Sequence, residues 1–353
     1  MVCGVAALIT CLSLYTGHTR GMRLTLLPLL GALHLRYPSY NAVTVQELTA
    51  ASAPEALATT ALTPDSLSTP AWQDTPEIAL PMMVIPWAER RGLAVYGLAE
   101  PPADLNAEAD FRHYLAQYPA GQTRLREVDA ALTEVGEILS KALTLERITA
   151  ELLPRVAAYH RLRERLFEDG PGTGWLRARV AAMAERLLTL PYQRVTVLAC
   201  LDHLPFLSEE LAGRVELATP PEIAASDSAR ERSLLDFAFL GEAADPVSLI
   251  AQLREVSSPE ARYHEANLLL AHGHAVEALE LLEAASRGDF SRPYFLPGYL
   301  LARLGQLYDL AGRRDQAIKA YRAVRALTWA PAEALLAAQE GLQSPFSGAT
   351  SAH

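Results

Sequence analysis

The sequence predicts an α/β domain with a mostly parallel sheet, followed by an all-α region. Three observations point there. Short apolar runs alternate with helical patterns over residues 22–218, the sequence after residue 226 is helical throughout, and two short segments of the latter match each other in spacing. The 353 residues suit one large or two medium domains. Half of them are hydrophobic and a fifth charged, an ordinary globular composition.

In chain order, residues 24–30 form a fully apolar strand candidate, with Pro28 removing a ladder donor and marking a bulge. A helix over 43–51 and a brief strand over 56–61 follow. A helix over 77–91 then leads to a third strand, 93–98. Strand, helix, strand, helix, strand is the order of parallel crossovers. A helical insertion, 105–190, carries apolar residues at three- and four-residue spacing over 124–140 and 145–167, and again over 175–188. The glycine-rich stretch 169–174 interrupts it as a loop without the Lys-Ser/Thr of a phosphate loop. Strand 194–199, a short helix 208–212 and a last strand 215–217 complete the domain.

Thr219-Pro220-Pro221 through Asp227 marks the boundary, with helices then expected over 234–240 and 247–256. Further on, Leu304, Gly305, Tyr308, Gly312, Ala317, Tyr321 and Val324 stand at the spacing of tetratricopeptide repeats. Ala266, Leu269, Gly273, Ala278, Leu282 and Ala285 stand at equivalent spacing upstream, with His272-Gly273-His274 read as a tight turn. The helical domain spans 226–343, and 344–353 reads as a disordered tail. Residues 1–21 read as a dispensable extension. Their apolar stretch 2–15 is too short to cross a membrane and has no preceding positive charges.

The net charge of −10 disfavours a nucleic-acid binder. Lys141 and Lys319 are the only lysines, and Arg alternates with Glu along the helices. Cys3, Cys11 and Cys200 give neither a disulfide framework nor metal-knuckle spacing. The expected location is therefore cytoplasmic, export through the N-terminal segment being the alternative. No stable membrane insertion and no nucleotide cofactor are expected.

Two strands end on a histidine. Gly31-Ala32-Leu33-His34 follows the first, and Cys200-Leu201-Asp202-His203 follows the fourth. Strand ends are where open α/β sheets place their chemistry. Two such motifs, with the helix bearing Arg179 just before the second, resemble the superfamily of TraB and Tiki proteins, erythromycin esterases and haem-binding ChaN proteins. The resemblance covers about 22–217. It departs from the family pattern in two places: Cys200 stands where a glycine is usual, and Thr59-Thr60 stand where relatives carry a glutamate. Glu100, after the third strand, and Asp202 are the nearby carboxylates.

The resemblance implies hydrolysis of a peptide or ester bond, assisted by histidine or by one divalent metal such as Mn, Co or Zn. His34 and His203 would be ligands, or one a ligand and the other a general base. Glu100 or Asp202 would add a ligand or orient an imidazole, Arg179 would stabilise developing negative charge, and Arg36 would stand at the rim. The alternative is a non-catalytic adaptor or ligand-binding protein whose repeats bind a protein or peptide partner. Haem binding ranks last, for want of an axial tyrosine. Cys200 reads as a small filler.

Overall fold

The computed structural model describes residues 21–101, 106–168, 170, 174–241 and 245–348. The N-terminal extension up to residue 20, with Cys3 and Cys11, most of the glycine-rich loop and the last five residues lie outside that set. The chain divides into two compact units, residues 21–80 with 84–225, and residues 81–83 with 226–348.

The first unit holds a five-stranded parallel sheet: β1 (Arg23–Leu29), β2 (Ala56–Thr59), β3 (Ala94–Gly97), β4 (Arg194–Cys200) and β5 (Glu216–Ala218). Their order across the sheet is β3-β2-β4-β1-β5. β1 and β4 are apolar on both faces because both faces are covered. On one face Leu24, Val195 and Val197 pack against Val180, Met183 and Leu187 of the helix Trp175–Leu188 and Phe206 and Leu207 of the helix Leu204–Leu211. On the other, Thr196 bonds Ser52 at the end of α1 (Ala42–Ala51), Oγ to Oγ1 at 2.5 Å. Asn41 caps α1 by accepting from the Thr44 N–H.

Pro28 makes no bulge. The register runs unbroken from Arg23↔Arg194 to Leu29↔Cys200. Met22 O accepts from Glu216 N, and Arg23 N donates to Gln193 O, so even-numbered backbone groups of β1 face β5. β5 pairs only as far as Thr25. The N–H that Pro28 lacks would therefore have had no paired strand to meet, and its carbonyl accepts from the buried Tyr40 hydroxyl at 2.9 Å instead.

Two expected helices begin differently from their pattern. The helix expected over 77–91 is α2 (Ile85–Arg90), entered through a π turn, Leu80–Val84. Within the insertion, α3 (Ala107–Leu115) and α4 (Pro119–Leu139) are followed by a second π turn, Ile148–Leu152, that opens α5 (Leu153–Phe167). In each case a proline, Pro86 or Pro154, stands two residues after the π turn. A widened turn accommodates the missing N–H and the ring that an α-helix would clash with. The insertion ends in α6 (Trp175–Leu188), and α7 (Leu204–Leu211) begins directly after His203, earlier than its apolar pattern indicated.

The second unit is helical: α8 (Asp227–Leu240), α9 (Pro246–Glu255), α10 (Pro259–Ala271), α11 (Ala275–Ala285), α12 (Leu296–Leu310), α13 (Arg314–Ala326) and α14 (Ala332–Gln343). The two matching segments form hairpins, α10/α11 and α12/α13. Each turns on a glycine in the left-handed region, Gly273 at φ +85° and Gly312 at φ +71°. Their turns share one hydrogen-bond pattern: Gly273 N–H to Leu270 O with His274 N–H to Leu269 O, and Gly312 N–H to Asp309 O with Arg313 N–H to Tyr308 O. Tyr321 is fully buried and wedged between Gly305 and Gly341. The start of the expected disordered tail is held in place, since Phe346 N donates to buried Asp309 at 2.9 Å. No helix among the described residues is long and apolar enough to cross a membrane.

Candidate functional site

The connection leaving β2 runs outward to β3, while that leaving β4 runs the other way, past β1, to β5. The crevice between the carboxyl ends of β2 and β4 is thus the switch point of the sheet, the usual ligand position in this architecture. Thr59 and Thr60 end one side; Cys200, Asp202 and His203 end the other. Thr60 Oγ1 ties the two together by accepting from Cys200 N at 2.9 Å. Both threonines are buried.

His34 stands where the motif puts it, after β1, on a 3-10 turn (Gly31–Leu35) that Gly31 enters at φ +62°. It is fully buried and both ring nitrogens are engaged by backbone. Leu30 N–H donates to Nε2 at 3.0 Å, and Nδ1–H donates to Tyr40 O at 2.9 Å. Burial lowers its pKa to about 4, so the ring is neutral. A metal at either nitrogen would have to displace one of these buried hydrogen bonds.

His203 is different. Its Nδ1 is buried with no partner. Burial, and then the charge of Arg179, lower its pKa to about 4 against the opposing pull of Asp202. Arg179, on α6, has an unpartnered buried Nε and gives one Nη2 contact to Glu100 O at 3.3 Å. The Glu100 carboxylate itself faces Arg186 at 2.6 Å, in a pair about 40 % exposed on both sides. It is thereby committed to a surface ion pair. Arg36 is exposed.

Two residues of this region were not singled out by the sequence. His160, on α5, donates from Nε2 to Asp202 Oδ1 at 2.8 Å. That bond holds the Asp202 carboxyl below the usual aspartate range. Glu77 reaches back from the segment after β2 and accepts from Gly31 N at 2.6 Å. Burial raises its pKa against the pull of Gly31 N–H and Cys200, and Asp202 adds to the rise. A carboxylate therefore does stand at this sheet edge, 46 residues from the glycine it binds. Burial keeps the Cys200 thiol protonated, as expected of a filler.

The metal set implied by the resemblance is not assembled by these side chains. His34 spends both nitrogens on backbone, Glu100 is turned to Arg186, and no three His, Cys, Asp or Glu side chains among the described residues are grouped to hold an ion. What the crevice does hold is a neutral imidazole, a guanidinium and two carboxyl groups in different environments, a set suited to moving protons and stabilising an oxyanion. The chain matches no family model, no curated protein and no solved structure.

Proposed function

We propose that the first unit is a histidine-assisted hydrolase acting on an ester or peptide carbonyl at the switch point between β2 and β4. The observation that carries this reading is the pair of unpartnered buried nitrogens, His203 Nδ1 and Arg179 Nε, within electrostatic reach of each other. Buried polar atoms are nearly always satisfied, and exceptions concentrate where a ligand completes them. In this reading neutral His203 takes a proton from water as its oxygen attacks the carbonyl carbon. Arg179 stabilises the charge on the carbonyl oxygen. When the intermediate collapses, the bond to the leaving oxygen or nitrogen breaks and His203 returns the proton to it. Cytoplasmic action belongs to the same reading, with Cys200 unpaired.

The test is hydrolysis of a panel of aryl esters and peptide anilides by the native chain, His203→Ala and Arg179→Ala. The expected losses are about 10²–10⁴-fold for His203→Ala and about 10²-fold for Arg179→Ala. Equal rates for native protein and His203→Ala would sink the proposal.

A second reading, peptide binding by the tetratricopeptide-like helices, has its own support. Asn267 Oδ1 and Arg303 Nε, on α10 and α12, are buried without a hydrogen bond, and His264 Nε2 beside them has only the Glu260 carboxylate, at 3.6 Å. Phe239 packs over His264, and beside Phe295 and Tyr299. Selection from a displayed-peptide library by the native chain, lost with Asn267→Ala and Arg303→Ala, is the expected result. Enrichment unchanged in both variants would overturn it.

A further inference from the structure

Helix α5 of the insertion gives the turn after β4 a side-chain hydrogen bond from 42 residues away in sequence. His160 Nε2–H donates to Asp202 Oδ1 at 2.8 Å. The two ends of that bond differ in freedom. The Asp202 side chain is 66 % exposed and sits on a turn, so alone it would sample several rotamers in water. The His160 side chain is 7 % exposed. Its ring is set edge-on against Tyr159 at 4.9 Å and Phe206 at 5.8 Å. Phe206 is itself fully buried, and Arg177 lies over its ring at 4.0 Å. The histidine is the fixed partner and the carboxylate the held one.

We propose that His160 is a positioning residue of this site, holding the Asp202 carboxylate beside His203 through turnover. The inference rests on the hydrolytic reading above. It moves the supporting group of the site from the turn bearing His34 to the insertion helix α5. His203 gains a positive charge when it takes a proton, in a place where burial, Arg179 and, more weakly, His160 itself oppose that charge. Asp202 is the adjacent group whose charge favours it. A carboxylate free to turn outward would give up that support; one tied to an immobile imidazole keeps it. The charged and titratable groups facing Asp202 are His160 and Arg163 from α5, His203 from its own turn, and Glu77 and Cys200 from the sheet edge.

Two variants of the full chain separate placement from packing. His160→Phe keeps a ring between Tyr159 and Phe206 but removes the donor, and His160→Gln keeps a donor. The first readout is the 13C-carboxyl titration of Asp202, assigned with Asp202→Asn. The second is kcat and KM on the best ester of the panel. The expected result is an upward move of the Asp202 midpoint in His160→Phe, with kcat down about 10–100-fold and KM within about twofold. His160→Gln should restore part of both. An Asp202 midpoint unmoved in His160→Phe overturns the proposal, as does a moved midpoint with unchanged kcat. Equal hydrolysis by native chain and His203→Ala is a different failure. It removes the hydrolytic reading, and the positioning role with it, while the titration still reports the His160–Asp202 bond.

Discussion

His34 and His203 share a motif position and a pKa lowered by burial, but differ in hydrogen bonding. His34 has both nitrogens on backbone atoms, whereas His203 leaves Nδ1 unpartnered. The difference arises beyond the strand. The turn after β1 folds back so that Tyr40 O meets Nδ1 and the Tyr40 hydroxyl meets Pro28 O, an arrangement no four-residue motif encodes. His34 is therefore expected to matter for stability. His34→Ala removes a fully buried ring and leaves the Leu30 N–H and Tyr40 carbonyl without partners, a cost of roughly 2–4 kcal/mol. Urea unfolding should show it as a lower midpoint with the slope unchanged; a midpoint equal to the native one would refute this structural role. His160 and Glu77 were illegible for the same reason as the His34 turn. Their partners lie 42 and 46 residues away, and only the assembled fold brings them together.

At the scale of elements, much of the architecture could be read from the chain. All five strands lie where apolar runs predicted them, and β1, β2 and β4, covered on both faces, read as near-continuous hydrophobic segments. The misreadings centre on proline. Pro28 was read as a bulge because sequence does not reveal on which side a neighbouring strand stops short. Pro86 and Pro154 are tolerated through π turns that a 3.6-residue period cannot anticipate. In the second unit the small residues of the matching segments have a direct use. A Cβ on Gly341 would lie 2.2 Å from Tyr321 Cζ, and one on Gly305 2.3 Å from Cε1. Tyr321 cannot swing aside, since its hydroxyl donates to buried Asp309, which also pairs with Arg314. Gly341→Ala is expected to destabilise this unit by about 1–3 kcal/mol through overpacking. Thermal unfolding followed by the near-ultraviolet signal of the tyrosines would test it, and an unchanged melting temperature would show that the packing can relax.

For the molecule as a whole, the two units carry buried ionisable groups whose responses to acid have opposite sign. In the first unit His34 is neutral when folded, with its pKa lowered to about 4, and takes a proton near pH 6.5 when unfolded. Between those values the unfolded chain binds a proton that the folded one refuses. Stability is full above about pH 6.5 and falls as pH drops toward 4, by up to about 1.4 kcal/mol per pH unit and roughly 3 kcal/mol in all. His203 is shifted in the same direction, and these two large shifts outweigh Glu77, whose raised carboxyl acts the opposite way in the same unit. In the second unit Arg232 stands between two buried carboxyls, with Asp236 at 2.9 Å and Glu260 at 2.7 Å. Burial alone would raise Glu260, but the charge of Arg232, His264 and the two bonds from Arg232 together hold it below its ordinary range. Burial raises Asp236. A carboxyl raised in the fold contributes stability that is fully present below its unfolded pKa and is lost as pH rises through the folded value. From pH 7 to 5, then, the first unit should weaken while the second holds or gains. Hydrogen exchange at the two pH values, corrected for intrinsic rates, reads each unit separately. Protection in β1 and β4 is expected to fall while that in α8 and α10 stays or rises. A parallel loss in both would mean that Asp236 is ionised in the folded protein and that the opposition of the two units does not exist.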